Sequence, residues 1–428
     1  MRILHTADLH LGQTFHNFDR SAEQEKALEC IEGIIGKEQP DAYVISGDVF
    51  HTIAPQTTAQ ELLIRHLMRA HELNDDMQIV VAAGNHDSNK IEIDDPLWNL
   101  VGVNVIASIR RNILEGEENE AYHQELFRRH IIEVKRVGKT AGYIVALPHC
   151  YPMNFPSVEA NLPRDERERK FVQMLLDEVE SRNTDKVPVV IMAHTAVRRD
   201  SGDEPDVIGQ DMDIIGGIDL VNSDVFGEGY DYVALGHIHY AQDITGRIRY
   251  SGSILPVSFD ENYQHSVSLV DIGAHGDIPV VRTVDVDNSM PVITIPEQDI
   301  KDKETKSLPW QEALKALDEF PDDEDGYIRL NVSDDGTIPP DAKDIAAKHA
   351  RERGIRAKFC LINRVKKDDG ASGSGSSRSQ LSTAQLHKMS EIQLAELHYR
   401  ETESNEIPED LKALLLDVIA ETKKETAE

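Results

Sequence analysis

Positive charge is what this 428-residue chain lacks most: 45 Lys and Arg stand against 77 Asp and Glu, a formal net charge of -32. Duplex DNA carries one negative charge per about 1.7 Å. A chain this acidic excludes nucleic-acid binding through a broad basic face, and the acidity reads first as a solvated surface. Cysteine is scarce too. Cys30, Cys150 and Cys360 are odd in number and far apart. That excludes a disulfide framework; the thiols read as reduced, which points to the cytoplasm. No apolar run approaches the roughly 20 residues of a membrane helix. Met1-Arg2 leads straight into a strand-like segment, without a signal-peptide pattern. What remains is a globular chain, 40% hydrophobic and 29% charged, long enough for two or three domains.

From Met1 to about Ile272 strand and helix signals alternate. Ser21 begins a helical pattern with Ala22, Ala27, Leu28, Ile31, Ile34 and Ile35 as its buried stripe, broken by Pro40-Asp41. A second helix is expected from about Thr57 to Glu72 with Leu62, Leu63, Leu67 and Met68 inward, and a third from about Asp165 to Ser181 with Phe171, Leu175, Leu176 and Val179 apolar. Strand signals follow at Arg249-Tyr250, Val267 to Val270 and Val280-Val281. This predicts a layered α/β/β/α or doubly wound domain. A smaller α+β pattern occupies about Met290 to Val365: strands at Val292 to Ile295, Tyr327 to Val332 (alternating) and Ala357 to Ile362, with helices at Pro309 to Phe320 and Asp341 to Arg353. The expected division is 1–275, a capping domain at 276–366, a Gly/Ser-rich flexible linker at 367–380 and a helical segment at 381–428. In that last segment Leu386, Met389, Ile392 and Leu397, then Leu411, Leu414, Leu415, Val418 and Ile419, follow helical spacing. Helices so short beyond a linker have little core of their own. They must dock, and a partner's groove is favoured over this chain.

Five apolar strand-like stretches each end in polar runs: Asp8-Leu9-His10, Gly47-Asp48, Gly84-Asn85-His86-Asp87, Ala193-His194 and Gly236-His237-Ile238-His239. Sites in open α/β sheets form beyond the carboxyl ends of strands. Asp8 and His10 are two apart, so an extended segment would point them the same way, and His237 with His239 repeats that spacing. Mixed His, Asp and Asn donors without thiolate suit Mn²⁺, Fe²⁺ or Zn²⁺ more than Mg²⁺. A carboxylate between two donor pairs can bridge two cations, and Asp48 is the natural candidate. Each run alone has an ordinary reading: Gly-Asn-His-Asp as a turn, His-x-His as a surface pair. Their joint occurrence in this order makes coincidence a poor explanation.

The order D-x-H, G-D, G-N-H-D, H, G-H-x-H resembles the calcineurin-like metallophosphoesterase superfamily. Met1 to Gly12, Ser46 to Phe50, Ala234 to His239 and the ligand-free run Tyr250 to Glu261 are similar to its SbcD-type nucleases. The resemblance implies one metal on Asp8, His10, Asp48 and His239, and another on Asp48, Asn85, His194 and His237. It makes His86 the group that stabilises the transition state or protonates the leaving oxygen, with Asp87 orienting His86. It implies two Mn²⁺ ions, with Mg²⁺, Fe²⁺ or Zn²⁺ as alternatives. The implied activity is 3′-to-5′ exonuclease on duplex ends and endonuclease on single strands or hairpins. The implied partners are DNA, an SbcC-like, SMC-family ATPase bound through the C-terminal helices, and a second copy of the chain within a heterotetramer. His51 either helps place duplex DNA or is a supporting or surface histidine. Arg198-Arg199, just after His194, is the best candidate pair for phosphates; Arg110-Arg111 and Arg128-Arg129 read as solvated, and the acidic loop Gly116 to Glu120 has no expected role. Two rival readings are a small-molecule phosphodiesterase or phosphatase of the same superfamily, and a scaffold with vestigial metals.

Overall fold

The computed structural model describes residues 1–88, 91, 98, 102–109, 120–150, 155–156, 164–199, 204–206, 220–300, 302, 304–366 and 412. Arg110, Arg111, the loop 116–119, the linker and the C-terminal helices expected from sequence fall outside them, save Lys412. One compact unit comprises Met1–Ile215 with Asp219–Lys366. The second comprises Gly216–Ile218 with Lys367–Glu428.

In chain order the first unit begins with β1 (Arg2–Thr6), the hairpin β2 (Thr14–Phe15) and β3 (Phe18–Asp19), α1 (Ser21–Glu38), β4 (Ala42–Ser46), α2 (Thr57–Leu73), β5 (Gln78–Ala82) and β6 (Val103–Ile106). Then come α3 (Glu120–His130), β7 (Ile131–Arg136), β8 (Lys139–Ala146), α4 (Arg164–Arg182), β9 (Val189–His194), β10 (Ala196–Val197), β11 (Leu220–Val221), β12 (Tyr232–Gly236), β13 (Gln242–Asp243), β14 (Ile248–Tyr250), β15 (Ser266–Asp271) and β16 (Val280–Asp285). It ends with β17 (Val292–Ile295), α5 (Trp310–Asp318), β18 (Tyr327–Ser333), α6 (Ala342–Arg353) and β19 (Lys358–Val365).

Two six-stranded sheets stack face to face, with orders β16-β15-β1-β4-β5-β6 and β13-β14-β12-β9-β8-β7. Their central strands are parallel and buried on both faces, which is why they read as unbroken apolar runs. Alternate residues divide between layers. Ile3, Val44, Val80, Val190, Met192 and Ala234 fill the space between the sheets. Leu4, Ile45, Val81 and their neighbours pack under α1 and α2. Ile191, Val233 and Leu235 pack under α4 with Phe171, Leu175, Leu176 and Val179. The four-layered α/β/β/α expectation is met. β16 is the outer strand of the first sheet, so that sheet runs past residue 275.

Polar wiring changed some expected faces. In α1, Ala22 is exposed while Glu23 and Gln24 are buried. Gln24 Nε2 donates to the His10 carbonyl at 2.9 Å, and Gly12 N donates to Gln24 Oε1 at 3.0 Å. In α2, Met68 is exposed and His66 takes the inward position, between Tyr43 Oη at 3.1 Å and Glu32 Oε1 at 2.9 Å. The helix α3, its hairpin β7–β8 and the edge strand β6 carry no strong sequence signal and were not anticipated.

In the capping region β17, β18 and β19 run parallel, with α5 and α6 packed on one face. All seven residues of β18 are buried, against the expected alternation. Its second face packs on the first domain: Tyr327 meets Phe15 and Phe259, and its hydroxyl donates to Glu23. Arg329 pairs with Asp260 at 2.7 Å. No described helix is long and apolar enough to cross a membrane, and the three cysteines are free thiols.

Candidate metal centre

The loops after β1, β4, β5, β9 and β12 meet at one end of the stacked sheets. Backbone hydrogen bonds zip the first two together: Asp8 N to the Gly47 carbonyl (3.0 Å), His10 N to Asp48 (3.0 Å) and Leu11 N to Val49 (2.9 Å). The strand after β1 does not continue through Asp8 and His10, as the two-residue spacing suggested. Both adopt left-handed backbone, φ 53° and 44°, as do Asp48 (49°) and His237 (102°). Convergence therefore comes from turns that cost order 1–3 kcal/mol each, held in place by the surrounding fold. Glycines permit the close approach. A Cβ on Gly47 would lie 2.2 Å from His194 Nδ1, and one on Gly84 would lie 2.0 Å from Asp48 Oδ1.

All seven expected ligands come together. His10 Nε2 faces His239 Nε2 at 3.1 Å. Asn85 Oδ1 lies 3.0 Å from His194 Nε2 and 3.1 Å from His237 Nδ1. Asp48 sits between these groups, with Oδ2 3.8 Å from His10 Nε2 and Oδ1 3.4 Å from His194 Nε2. Asp8 groups closely with His10 and His239, and again with Asp48 and His194. Its oxygens also accept the His237 backbone N–H at 3.0 and 3.2 Å. Asp8 and Asp48 are 1% and 2% exposed, and among the described residues no Lys or Arg pairs with either. Two buried carboxylates need compensating charge. Facing imidazole nitrogens and carboxylates with no Lys or Arg beside them fit divalent cations.

The imidazoles are oriented from behind. His194 Nδ1 donates to the Ser46 carbonyl at 2.8 Å, which leaves Nε2 for the site. His239 Nδ1 donates to Glu261 Oε1 at 3.1 Å, which leaves Nε2 likewise. Glu261 is buried, and its second oxygen accepts Val257 N at 3.0 Å. Sequence reasoning passed over it because the run Tyr250 to Glu261 holds no ligand; its distinctiveness was the available signal. His149 was also missed. Its Nδ1 donates to the His194 carbonyl at 3.2 Å and its ring stacks on His237. Glu261→Ala is expected to weaken cation binding about 10–100-fold, seen in a Mn²⁺ titration; unchanged affinity would show that His239 needs no such support.

His86 lies beside this donor cluster. Its backbone N donates to Asp48 Oδ1 at 3.0 Å and its Nδ1 to the His51 carbonyl at 2.9 Å. Among the described residues Asp87 makes no direct hydrogen bond to the His86 ring. Its carboxylate instead accepts backbone N–H groups of Gly84 (2.8 Å), Val49 (3.0 Å) and Phe50 (2.9 Å), locking one loop onto the other. His51 stacks on His86, with its Nδ1 3.5 Å from His10 Nδ1. Arg198 and Arg199 stand apart. Arg199 binds Asp206 at 2.8 Å and Gln242 at 2.7 Å, and neither arginine lines the cleft of about 800 Å³ that His10, His51, His86 and His239 open into.

Burial pushes the Asp8 carboxyl up to about 7, although His194 and His239 pull the other way. Burial opposes charge on His194, but Asp48 and Asp8 overcome it and raise the imidazole to about 9. Despite burial, His194 and His10 hold Asp48 well below the usual carboxylate range. Burial lowers His10, which leaves it neutral. The metal-free cluster thus holds protons among His194, Asp8 and Asp48 that ordinary carboxylates and a neutral imidazole would have shed. A cation must displace them, so affinity should rise from pH 6 toward pH 9. Calorimetry in two buffers of different ionisation enthalpy is expected to show about one proton or more released per chain at pH 7. Zero release would mean these groups are not ligands.

The calcineurin-like phosphoesterase model matches residues 1–241. The SbcD subunit of the SbcCD nuclease from Rhodobacter capsulatus is 32% identical over 327 residues, covering 74% of this chain and 75% of its own. Its counterpart in Escherichia coli K12 is 29% identical over 311 residues, covering 69% of this chain and 70% of its own. That of Bacillus subtilis 168 is 32% identical over 280 residues, covering 63% of this chain and 66% of its own. With the same motifs now seen converging on one buried donor cluster, the chain belongs to the calcineurin-like phosphoesterase family, on the branch that holds the SbcD nucleases.

Proposed function

We propose that this chain is the metal-dependent nuclease subunit of a DNA-end-processing complex and hydrolyses DNA phosphodiesters at the site above. One observation carries the reading: the two oxygens of buried Asp48 face separate donor groups, one at His10 and one at His194, beside a cleft lined by His86. Asp8, His10, Asp48 and His239 would hold one cation. Asp48, Asn85, His194 and His237 would hold the other. The favoured pair is two Mn²⁺, with Mg²⁺, Fe²⁺ or Zn²⁺ as alternatives. When bound, such a pair polarises phosphoryl oxygens and acidifies water that in bulk has a pKa of about 15.7.

The chain's own groups do the rest. The His51 carbonyl holds a proton on His86 Nδ1, so in the imidazolium form the proton on Nε2 is the one that would pass to the departing sugar oxygen, leaving the neutral Nδ1–H imidazole. Asp87 holds the His86 loop against the Asp48 loop, which keeps that geometry preorganised. The substrates would be duplex ends cut 3′ to 5′, and single strands or hairpins cut internally. The nuclease names of the relatives favour this over a small-molecule phosphodiesterase.

An SbcC-like ATPase of the SMC family would bind the helical segment at 381–428 through a linker at 367–380. It would supply the positive surface this chain lacks. Two copies would pair within a heterotetramer in the cytoplasm, with the first domain extending to the end of β16 and the cap from β17 to residue 366. The test is cleavage of duplex, hairpin and single-stranded DNA with Mn²⁺, with and without the ATPase. Cleavage abolished by chelation and restored by Mn²⁺ supports the reading; no cleavage of any DNA in either condition sinks it.

A further inference from the structure

Beyond His10, His51 and His86 the cleft runs on between the first domain and the cap, and its far wall is built from His16 and Phe259. His16 sits at the two-residue tip of the β2–β3 hairpin, where His16 and Asn17 both take positive φ, 47° and 74°. Such a tip favours Asn-Gly or Gly-Gly, so a histidine there is kept against a backbone cost. The ring is tilted onto Phe259 (5.3 Å between centroids) and meets Phe15 edge-on (5.1 Å). Yet His16 is exposed, and among the described residues its ring nitrogens have no hydrogen-bond partner. One aromatic face is backed and held, and the other is offered to the cleft.

The charge of this arm says what it accepts. Among the described lining residues Arg329 is the only Arg or Lys, and Asp260 already holds it at 2.7 Å. Asp299 adds a further carboxylate to the same wall, and Asp302 is paired with Lys306 at 2.7 Å. With Arg329, the lining cation, already paired to a carboxylate, the wall offers no free positive charge to a second phosphate, whereas a neutral planar group with polar edges needs none. Asn262 and Asn363 line it too; Asn363 Nδ2 is spent on Asn331 at 3.0 Å, which leaves its amide oxygen for a donor. A volume of about 800 Å³ suits a nucleotide-sized ligand.

We infer that this arm is a subsite for one unpaired nucleobase of the strand being cut, stacked on His16 with its phosphate at the metal centre. The inference rests on the nuclease reading and narrows its substrate. A base within a duplex is covered on both faces, so the subsite selects frayed ends, single strands and hairpin tips.

The test compares full-length chain with His16→Ala and His16→Phe. Hydrolysis of thymidine p-nitrophenyl phosphodiesters, 3′ and 5′ isomers, is measured against methyl p-nitrophenyl phosphate, which has the same leaving group and no base. The nucleoside-to-methyl ratio of kcat/KM should fall about tenfold in His16→Ala for at least one isomer and hold in His16→Phe; tenfold is about 1.4 kcal/mol, within the range for base–aromatic stacking. Quenching of a terminal 2-aminopurine in a single-stranded oligonucleotide, with Ca²⁺ in place of Mn²⁺, should weaken at least fivefold in the same variant. A ratio and a quenching signal both within twofold of wild type in His16→Ala overturn the subsite. His16-dependent quenching with no hydrolysis of any ester keeps the subsite and removes the nuclease reading; hydrolysis without His16 dependence does the reverse.

Discussion

Asp48→Asn is expected to lower phosphodiester hydrolysis by about 10³-fold or more, because cation-based charge stabilisation is worth several kcal/mol and each 1.36 kcal/mol is tenfold in rate. The substitution keeps the side chain's shape and removes its charge. It also turns one of the two oxygens, Oδ2 toward His10 or Oδ1 toward His194, into an NH₂ that cannot bind a cation. Elemental analysis should show a loss of at least one Mn²⁺ relative to wild type, with the circular dichroism spectrum unchanged. Near-wild-type turnover in this variant would remove Asp48 from the centre and with it the proposed division of ligands.

The second large effect belongs to His86→Gln. A positioned acid contributes about 10²–10⁴-fold, and loss within that range is expected on DNA. Unlike Asp48→Asn, this change should leave the Mn²⁺ content intact, since neither proposed ligand set includes His86 and its backbone N–H to Asp48 survives; loss of an ion would instead place one on the nitrogens of His10, His51 and His86, which also group closely. The loss should be far smaller on a p-nitrophenyl ester, whose leaving group departs without a proton. Equal losses on both substrates would show that His86 works on the attacking side or by structure alone.

The layers and the converging donor residues were legible in the sequence for one reason. Parallel strands buried on both faces must be continuous apolar runs, and site residues follow their carboxyl ends, so Val44-Ile45 before Asp48 and Val190 to Met192 before His194 announce both strand and donor. Elements without such runs were not legible: α3 and β7–β8 carry mixed sequence, and β18 reads as alternating because its second face is covered by Phe15 and Phe259, far away in the chain. The bonds of Asp87 were not legible, since adjacency to His86 in sequence says nothing about which loop its carboxylate reaches.

Residue identity and order alone determined that this chain folds as stacked α/β layers and carries Asp8, His10, Asp48, Asn85, His194, His237 and His239 at strand ends. Only the tertiary structure decided that four of them turn into left-handed backbone, that Glu261 fixes His239, and that a hairpin tip and a cap strand enclose the cleft. Local pattern records what a segment buries; it does not record which distant segment arrives to be buried against it or bonded to it.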